Sequence, residues 1–151
     1  MVEVIVGTSL ILIAVLSVVS AFNFFLHLGF GNIRTLQAAY LLEEGIEATL
    51  LMRDDSWANI SSMTVSTPYF LSWSGSFWQA TPTEVVIDQT FERTVTIENV
   101  YRDADNNIAS SGTLDNDTKK ITVTVYWGGT PTPSDGGKSR SFYTYLTNSY
   151  E

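Results

Sequence analysis

The chain has 151 residues, with 8 Lys and Arg against 16 Asp and Glu, one His and no Cys, which is room for one domain of ordinary size. A net charge of −8 excludes a nucleic-acid binder that works through a basic surface, since such a surface charge repels phosphate. The lack of Cys excludes a disulfide scaffold, a thiolate metal site and a cysteine nucleophile, and a single His (His27) argues against a multi-His metal site or a His-dependent triad.

The mean hydropathy of +0.09 conceals a steep asymmetry. No charged residue occurs from Val4 through Ile33, counting His27 as neutral, and the stretch from Leu10 to Val19 is almost wholly aliphatic. About 20 apolar residues in a helix cross a hydrocarbon core, so this segment is long enough to span a membrane. A cleavable secretory signal is the competing reading. Val19-Ser-Ala21 is a passable cleavage tripeptide, but no Lys or Arg precedes the apolar run, and the spanning reading is preferred. Glu3 is the odd residue, because a carboxylate at the mouth of an apolar helix is costly in a membrane. Two readings stand side by side. Glu3 sits in the headgroup zone and favours the positive end of the helix dipole, or it pairs with a cation such as the α-amino group of a neighbouring subunit.

Helical character continues past the apolar run. Gly29 and Gly31 are its weak points and the expected sites of bending or local unwinding, each costing up to about 1 kcal/mol relative to Ala. Asn32 to Arg53 is rich in Leu, Ala, Glu and Gln and reads as an amphipathic continuation. At 100° per residue, Ala39, Leu42, Ile46, Thr49 and Leu50 form one apolar patch, and Leu41, Ala48 and Met52 a second, with Gly45 between them. Two patches predict contacts with both the chain's own domain and another chain, so Leu41, Leu42, Ile46, Leu50 and Met52 are the candidate packing face toward another chain or the head. Asp54-Asp55-Ser56 is turn chemistry and ends the helix near Arg53. A continuous helix from Glu3 to Arg53 would be about 75 Å long, too long to lie within a globule of this size. The expected division is an apolar, transmembrane helix over 1–30, its amphipathic continuation over 31–56, and a β-rich head over 57–151.

The head is rich in Ser, Thr, Asn and Gly, and its apolar residues alternate. From Thr90 to Tyr101 the alternation sets Phe91, Arg93, Val95 and Ile97 on one side, and Glu92, Thr94, Thr96 and Glu98 on the other. Lys120 to Trp127 repeats the pattern with Ile121, Val123, Val125 and Trp127 inward, and Ser141 to Thr147 gives a third strand. Tyr69–Trp73 and Glu84–Ile87 are weaker strand candidates. A polar loop, Gly128 to Gly137, precedes the third strong strand. Connections this short imply antiparallel pairing, so the fold class is α+β: a long N-terminal helix whose C-terminal half covers one face of a small antiparallel sheet.

Three stretches resemble the type IV pilins and type II secretion pseudopilins. The opening Met1-Val-Glu-Val-Ile leading into an aliphatic helix is similar to the family's N-terminal signature, commonly Phe-Thr-Leu-x-Glu followed by aliphatic residues. Ala39-Tyr-Leu-Leu-Glu-Glu-Gly-Ile-Glu-Ala48 with Arg53-Asp-Asp-Ser-Trp57, and the ending Tyr145-Leu-Thr-Asn148, look like a bacterial branch of that family. The specific motifs cover residues 1–57 and the last few. The resemblance places the family's assembly glutamate, its fifth mature residue, on Glu3, an offset of two. It implies a short basic leader removed by a prepilin peptidase, and with it an N-methylated amine. A removed basic leader would also restore the orientation that Arg34, the first cation after the apolar run, would otherwise reverse. The C-terminal disulfide of many members is excluded for lack of Cys.

The resemblance further implies a homopolymer. Subunits wait in the bacterial cytoplasmic membrane, and inner-membrane machinery then extracts them so that their apolar helices bundle into an extracellular filament. Exchange from lipid to bundle is nearly neutral in hydrophobic terms, so Glu3 against a neighbour's amine would set register. The expected function is that of a structural subunit, a major pilin, of a type IV pilus-like filament serving adhesion, motility or DNA uptake. The alternatives are a pseudopilin of a type II secretion system and a monomeric membrane-anchored binding module. No cofactor, metal or enzymatic activity is expected.

The remaining motifs are weak. Asp103-x-Asp-x-Asn107 starts like a calcium loop, but Ile108 and Leu114 stand where Gly and Glu are needed, and a hairpin turn is the better reading. Asn59-Ile-Ser61 and Asn116-Asp-Thr118 are chance matches to a glycosylation pattern, while the abundant Ser and Thr of the head leave O-glycans open. Tyr69, Trp73, Phe77 and Trp78 read as core filling first and as an adhesion surface second.

Overall fold

The computed structural model describes residues 1–129 and 137–148 and consists of two compact units, Met1–Gln37 and Ala38–Glu151. One helix, α1 (Val2–Asp55), contributes all of the first unit and the opening of the second. In the first unit the helix is unbroken, including at Gly29 and Gly31. Its aliphatic side chains are exposed: Leu10, Ile11, Leu12 and Ile13 each keep more than 60% of their surface.

In the second unit, the last turns of α1 are followed by a short helix α2 (Ala58–Ser61) and seven strands: β1 (Tyr69–Trp73), β2 (Trp78–Thr81), β3 (Val86–Ile87), β4 (Phe91–Arg102), β5 (Ile108–Ala109), β6 (Thr113–Trp127) and β7 (Lys138–Thr147). They form one antiparallel sheet in the order β2-β1-β4-β6-β7, with β3 and β5 paired to β4. The α+β fold read from the sequence is the observed one. β4 and β6 form its centre. Val95 faces Val123 and Ile97 faces Ile121 in register, and all four are fully buried against α1 and α2 with Ala48, Met52, Ile60, Leu71 and Leu146. A second group, Ala38, Phe91, Val125 and Trp127, continues the core along the same face.

Several elements differ from the sequence reading, among them the unexpected β5 and the start of β7 at Lys138 rather than Ser141. β2 was not expected, because its four residues are too few for an alternation to register. The strand expected over Glu84–Ile87 is only Val86–Ile87. β6 begins at Thr113 rather than Lys120: its first part is too polar for an apolar alternation to register, and it pairs with β4 across an irregularity at Asn99/Val100. Gly112, at φ +143°, makes that hairpin possible, since a Cβ there would collide with the Arg102 carbonyl. The loop expected from Gly128 to Gly137 lies largely outside the described residues.

The two apolar patches of the helix are one stripe. Ala38, Leu41, Leu42, Gly45, Ala48, Thr49 and Met52 fall within an arc of about 120°, with Gly45 at its centre. Gly45 is therefore the point of closest approach and not a break. A Cβ added there would stand 2.7 Å from Val123 Cγ1 and 3.0 Å from Arg93 Cδ. A larger residue would lift the helix off the sheet.

Candidate assembly surfaces

Glu3 lies in the first turn of α1, where the unpaired amides at the helix start favour a carboxylate. It forms no ion pair among the described residues. Three of the hydroxyl groups that interrupt the apolar run bond back to the helix backbone. Thr8 Oγ1 donates to the Val4 carbonyl at 2.9 Å, Ser9 Oγ to Ile5 at 2.6 Å and Ser17 Oγ to Ile13 at 2.8 Å. Back-bonding of this kind lets polar side chains sit in an apolar medium without an orphan donor. α1 is long and apolar enough to cross a membrane, and its most apolar window is 0% buried within the chain. Gly29 and Gly31 have open space where a Cβ would stand, so no packing inside this chain requires glycine there.

The five residues of the expected packing face all turn toward the chain's own sheet. Met52 is buried, and Leu41, Leu42, Ile46 and Leu50 are half-buried against the core. Ala39, expected on the same face, is exposed. The opposite side of this part of the helix carries Tyr40, Glu43, Glu47 and Leu51, all exposed.

Arg93 joins helix to sheet. It is the charged member of the inward set Phe91, Arg93, Val95 and Ile97 of β4, and 3% of it is exposed. Its Nη1 forms an ion pair with Glu44 Oε2 at 3.0 Å and donates to the Leu41 carbonyl at 3.2 Å, and its guanidinium lies 5.4 Å from the centre of the Trp78 ring. Nε has no hydrogen-bond partner among the described residues. A buried cation is tolerated only when paired, and the planar guanidinium can use a carboxylate, a carbonyl and an aromatic face at once. The sequence placed Arg93 inward without giving it a role. The signal was present, since one charge in an apolar alternation implies a partner across the interface.

The aromatic cluster divides. Tyr69 and Trp78 are half-buried against the core, as the packing reading expects, whereas Trp73 and Phe77 are exposed at the β1–β2 turn, at 54% and 55%. Asp103 closes a hairpin turn, its Oδ1 accepting from the Asp105 and Asn107 amides, with Asn106 at φ +65°. That oxygen is committed to the turn. Asn59 is likewise engaged, donating to the Met52 carbonyl and to Asp55 Oδ2 at the end of α1.

On the solvent face, Lys120 Nζ donates to Glu98 Oε2 at 2.7 Å, and this bond raises the lysine above its ordinary pKa. Burial, and then the Glu84 charge, push the Glu92 carboxyl upward. Burial alone would also raise Asp115, but hydrogen bonds from Arg102, Thr118 and the Asp117 amide, with the Arg102 charge, outweigh it and hold that carboxyl below its usual range. Among the described residues no three His, Cys, Asp or Glu side chains are grouped so as to hold a metal ion. Comparison with protein-family models, with curated proteins and with solved structures gives no match to this chain.

Proposed function

We propose that the chain is a structural subunit of a type IV pilus-like filament, a major pilin, held in the cytoplasmic membrane of a bacterium by its N-terminal helix before assembly. The observation that carries this reading is the contrast inside α1: its first part is apolar on every side and exposed, while its last turns seal a complete core against the sheet. A helix that is hydrophobic all round requires enclosure by lipid or by other helices. Both environments occur in turn when subunits pass from membrane to filament. The similarity of Met1-Val-Glu-Val-Ile and of Ala39 to Ala48 to pilin sequences gives that requirement a family context.

In the low-dielectric bundle, Glu3 needs a cation, and the terminal amine of an adjacent subunit would supply one and fix register. The test is to shear cells that express the chain, image the fibres and fit the helical density to this sequence. Glu3→Ala is expected to insert in the membrane normally and to abolish or misregister fibres. Fibres of normal order from that variant would remove the register role. A chain that stays wholly in the membrane fraction would favour a monomeric anchored module, and trace incorporation into short fibres a pseudopilin.

A further inference from the structure

The helix covers β4, β6 and the end of β7 at Leu146, and leaves the first half of β7 bare. Val123, Val125 and Trp127 are buried, yet the residues paired with them on β7, in turn Phe142, Arg140 and Lys138, are exposed, Phe142 at 57%. Directly paired residues share a sheet face, so these three form an uncovered flank beside the core. β7 is also an edge strand, ten residues long, with no Pro and no shift in its register to blunt it. Both of its charges are positive, and neither makes an ion pair among the described residues, although the chain carries −8 overall.

The complementary surface is the outer side of α1 in the same unit. Tyr40, Glu43, Glu47 and Leu51 lie within an arc of about 80°. Tyr40 and Leu51 are 62% and 56% exposed, and neither Glu43 nor Glu47 makes an ion pair among the described residues. The spacings agree. Glu43, Glu47 and Leu51 follow one another at about 6 Å along the helix. Lys138, Arg140 and Phe142 follow one another at about 6.7 Å along the strand. Two carboxylates and an apolar residue thus meet two cations and an apolar residue, with a drift of roughly 1.5 Å over the whole length, within the reach of these side chains.

We propose that these surfaces are the two halves of a contact between copies of this chain, the outer stripe of α1 in one copy seating on the flank of β7 in the next. Either surface meeting itself would set like charges together, so the contact is heterologous and propagates. The inference rests on the filament reading for its purpose and adds the head surface that would join successive subunits.

The absence of Cys allows a direct test with the full-length chain in membranes and in sheared material. The double variant Glu47→Cys, Arg140→Cys should give a ladder of disulfide-linked oligomers on mild oxidation, and each single variant less than about a tenth of that yield. In detergent micelles, Glu47→Lys should weaken self-association about tenfold, and adding Arg140→Glu should restore it to within about twofold. A ladder without fibres keeps the contact and removes the filament. Fibres of normal order in Glu47→Lys, with no ladder from the double cysteine, overturn the contact and keep the filament. Neither fibres nor ladder overturns both, and a charge swap that restores nothing overturns the contact alone.

Discussion

The run Leu10–Val19 of the first unit and the segment Ile121–Val125 of the second use the same aliphatic residues and treat them oppositely. Leu10 and Leu16 are each 64% exposed, whereas Ile121, Val123 and Val125 are fully buried. The difference lies in the residues between them. In β6, Thr122 and Thr124 give the strand a polar side to leave in water, so a single helix on the other side completes the burial. The helical run has no polar side, and no one-sided cover can hide it. Hydrophobicity therefore states how much surface must be enclosed, and its periodicity states whether one chain can do so.

The largest effect should come from cutting the same kind of side chain in each region. Ile97→Ala removes a fully buried side chain at the centre of the head, and is expected to lower its stability by about 3 kcal/mol. Leu12→Ala, at a residue 62% exposed, should change that stability by less than about 0.5 kcal/mol. Denaturant unfolding of the full chain in detergent, followed through the head's tryptophans, reads both. Comparable losses from the two variants would break the division into an enclosed head and an unenclosed helix.

Much of this division was legible because it rests on periodicity. The uncharged run, the inward set Phe91, Val95 and Ile97, and its partners Ile121, Val123 and Val125 follow from spacing alone. What escaped has physical reasons. Gly45 looked like a gap in the helix wheel, since a residue without a side chain contributes nothing to an apolar count, and the value of that absence shows only when Val123 stands opposite. The short β2 carries too few residues to reveal a period. Which residues border the helix and which lie past its edge is a tertiary matter, so Phe142, paired with the buried Val123, is nevertheless exposed. The two readings of Glu3 differ in whether its partner belongs to the same chain, which spacing along one sequence does not encode.

A second contrast sits within the head, where one cation interrupts an apolar face. Glu44→Gln leaves Arg93 buried without its carboxylate and is expected to cost about 1–2 kcal/mol, less than for a fully buried pair, because Glu44 keeps 46% of its side-chain surface. Arg93→Met removes the charge, its unpaired Nε and its contact with Trp78 together, while filling similar space, and should cost less than Glu44→Gln. Reversal of that order in unfolding measurements would mean that the guanidinium's bond to the Leu41 carbonyl and its place over Trp78 matter more than the charge pairing. The head's core would then depend on Arg93 much as it depends on its aliphatic neighbours.

The smallest effect concerns the polar end of the head, where the last residues of β4 meet the first part of β6. Arg102 Nε donates to Asp115 Oδ2 at 2.6 Å, and its Nη1 donates to the Asn106 carbonyl, tying the hairpin turn to the irregular part of β6. Because the folded Asp115 carboxyl is held below its unfolded value near 3.9, its contribution is complete above that value and is lost as pH falls through the folded pKa. Glu92 acts in the opposite sense: its raised carboxyl favours the folded state as pH falls through the carboxylate range. Wild-type stability alone would mix the two. The difference between wild type and Asp115→Asn isolates the ion pair: about 1 kcal/mol at neutral pH, shrinking below about pH 4. Hydrogen exchange should place the loss at 101–115 and leave the amides of Ile97 and Ile121 protected. Loss of protection at Ile121 as well would mean that the polar end and the buried centre unfold as one unit, and the contrast between them would then be one of burial without a difference in local stability.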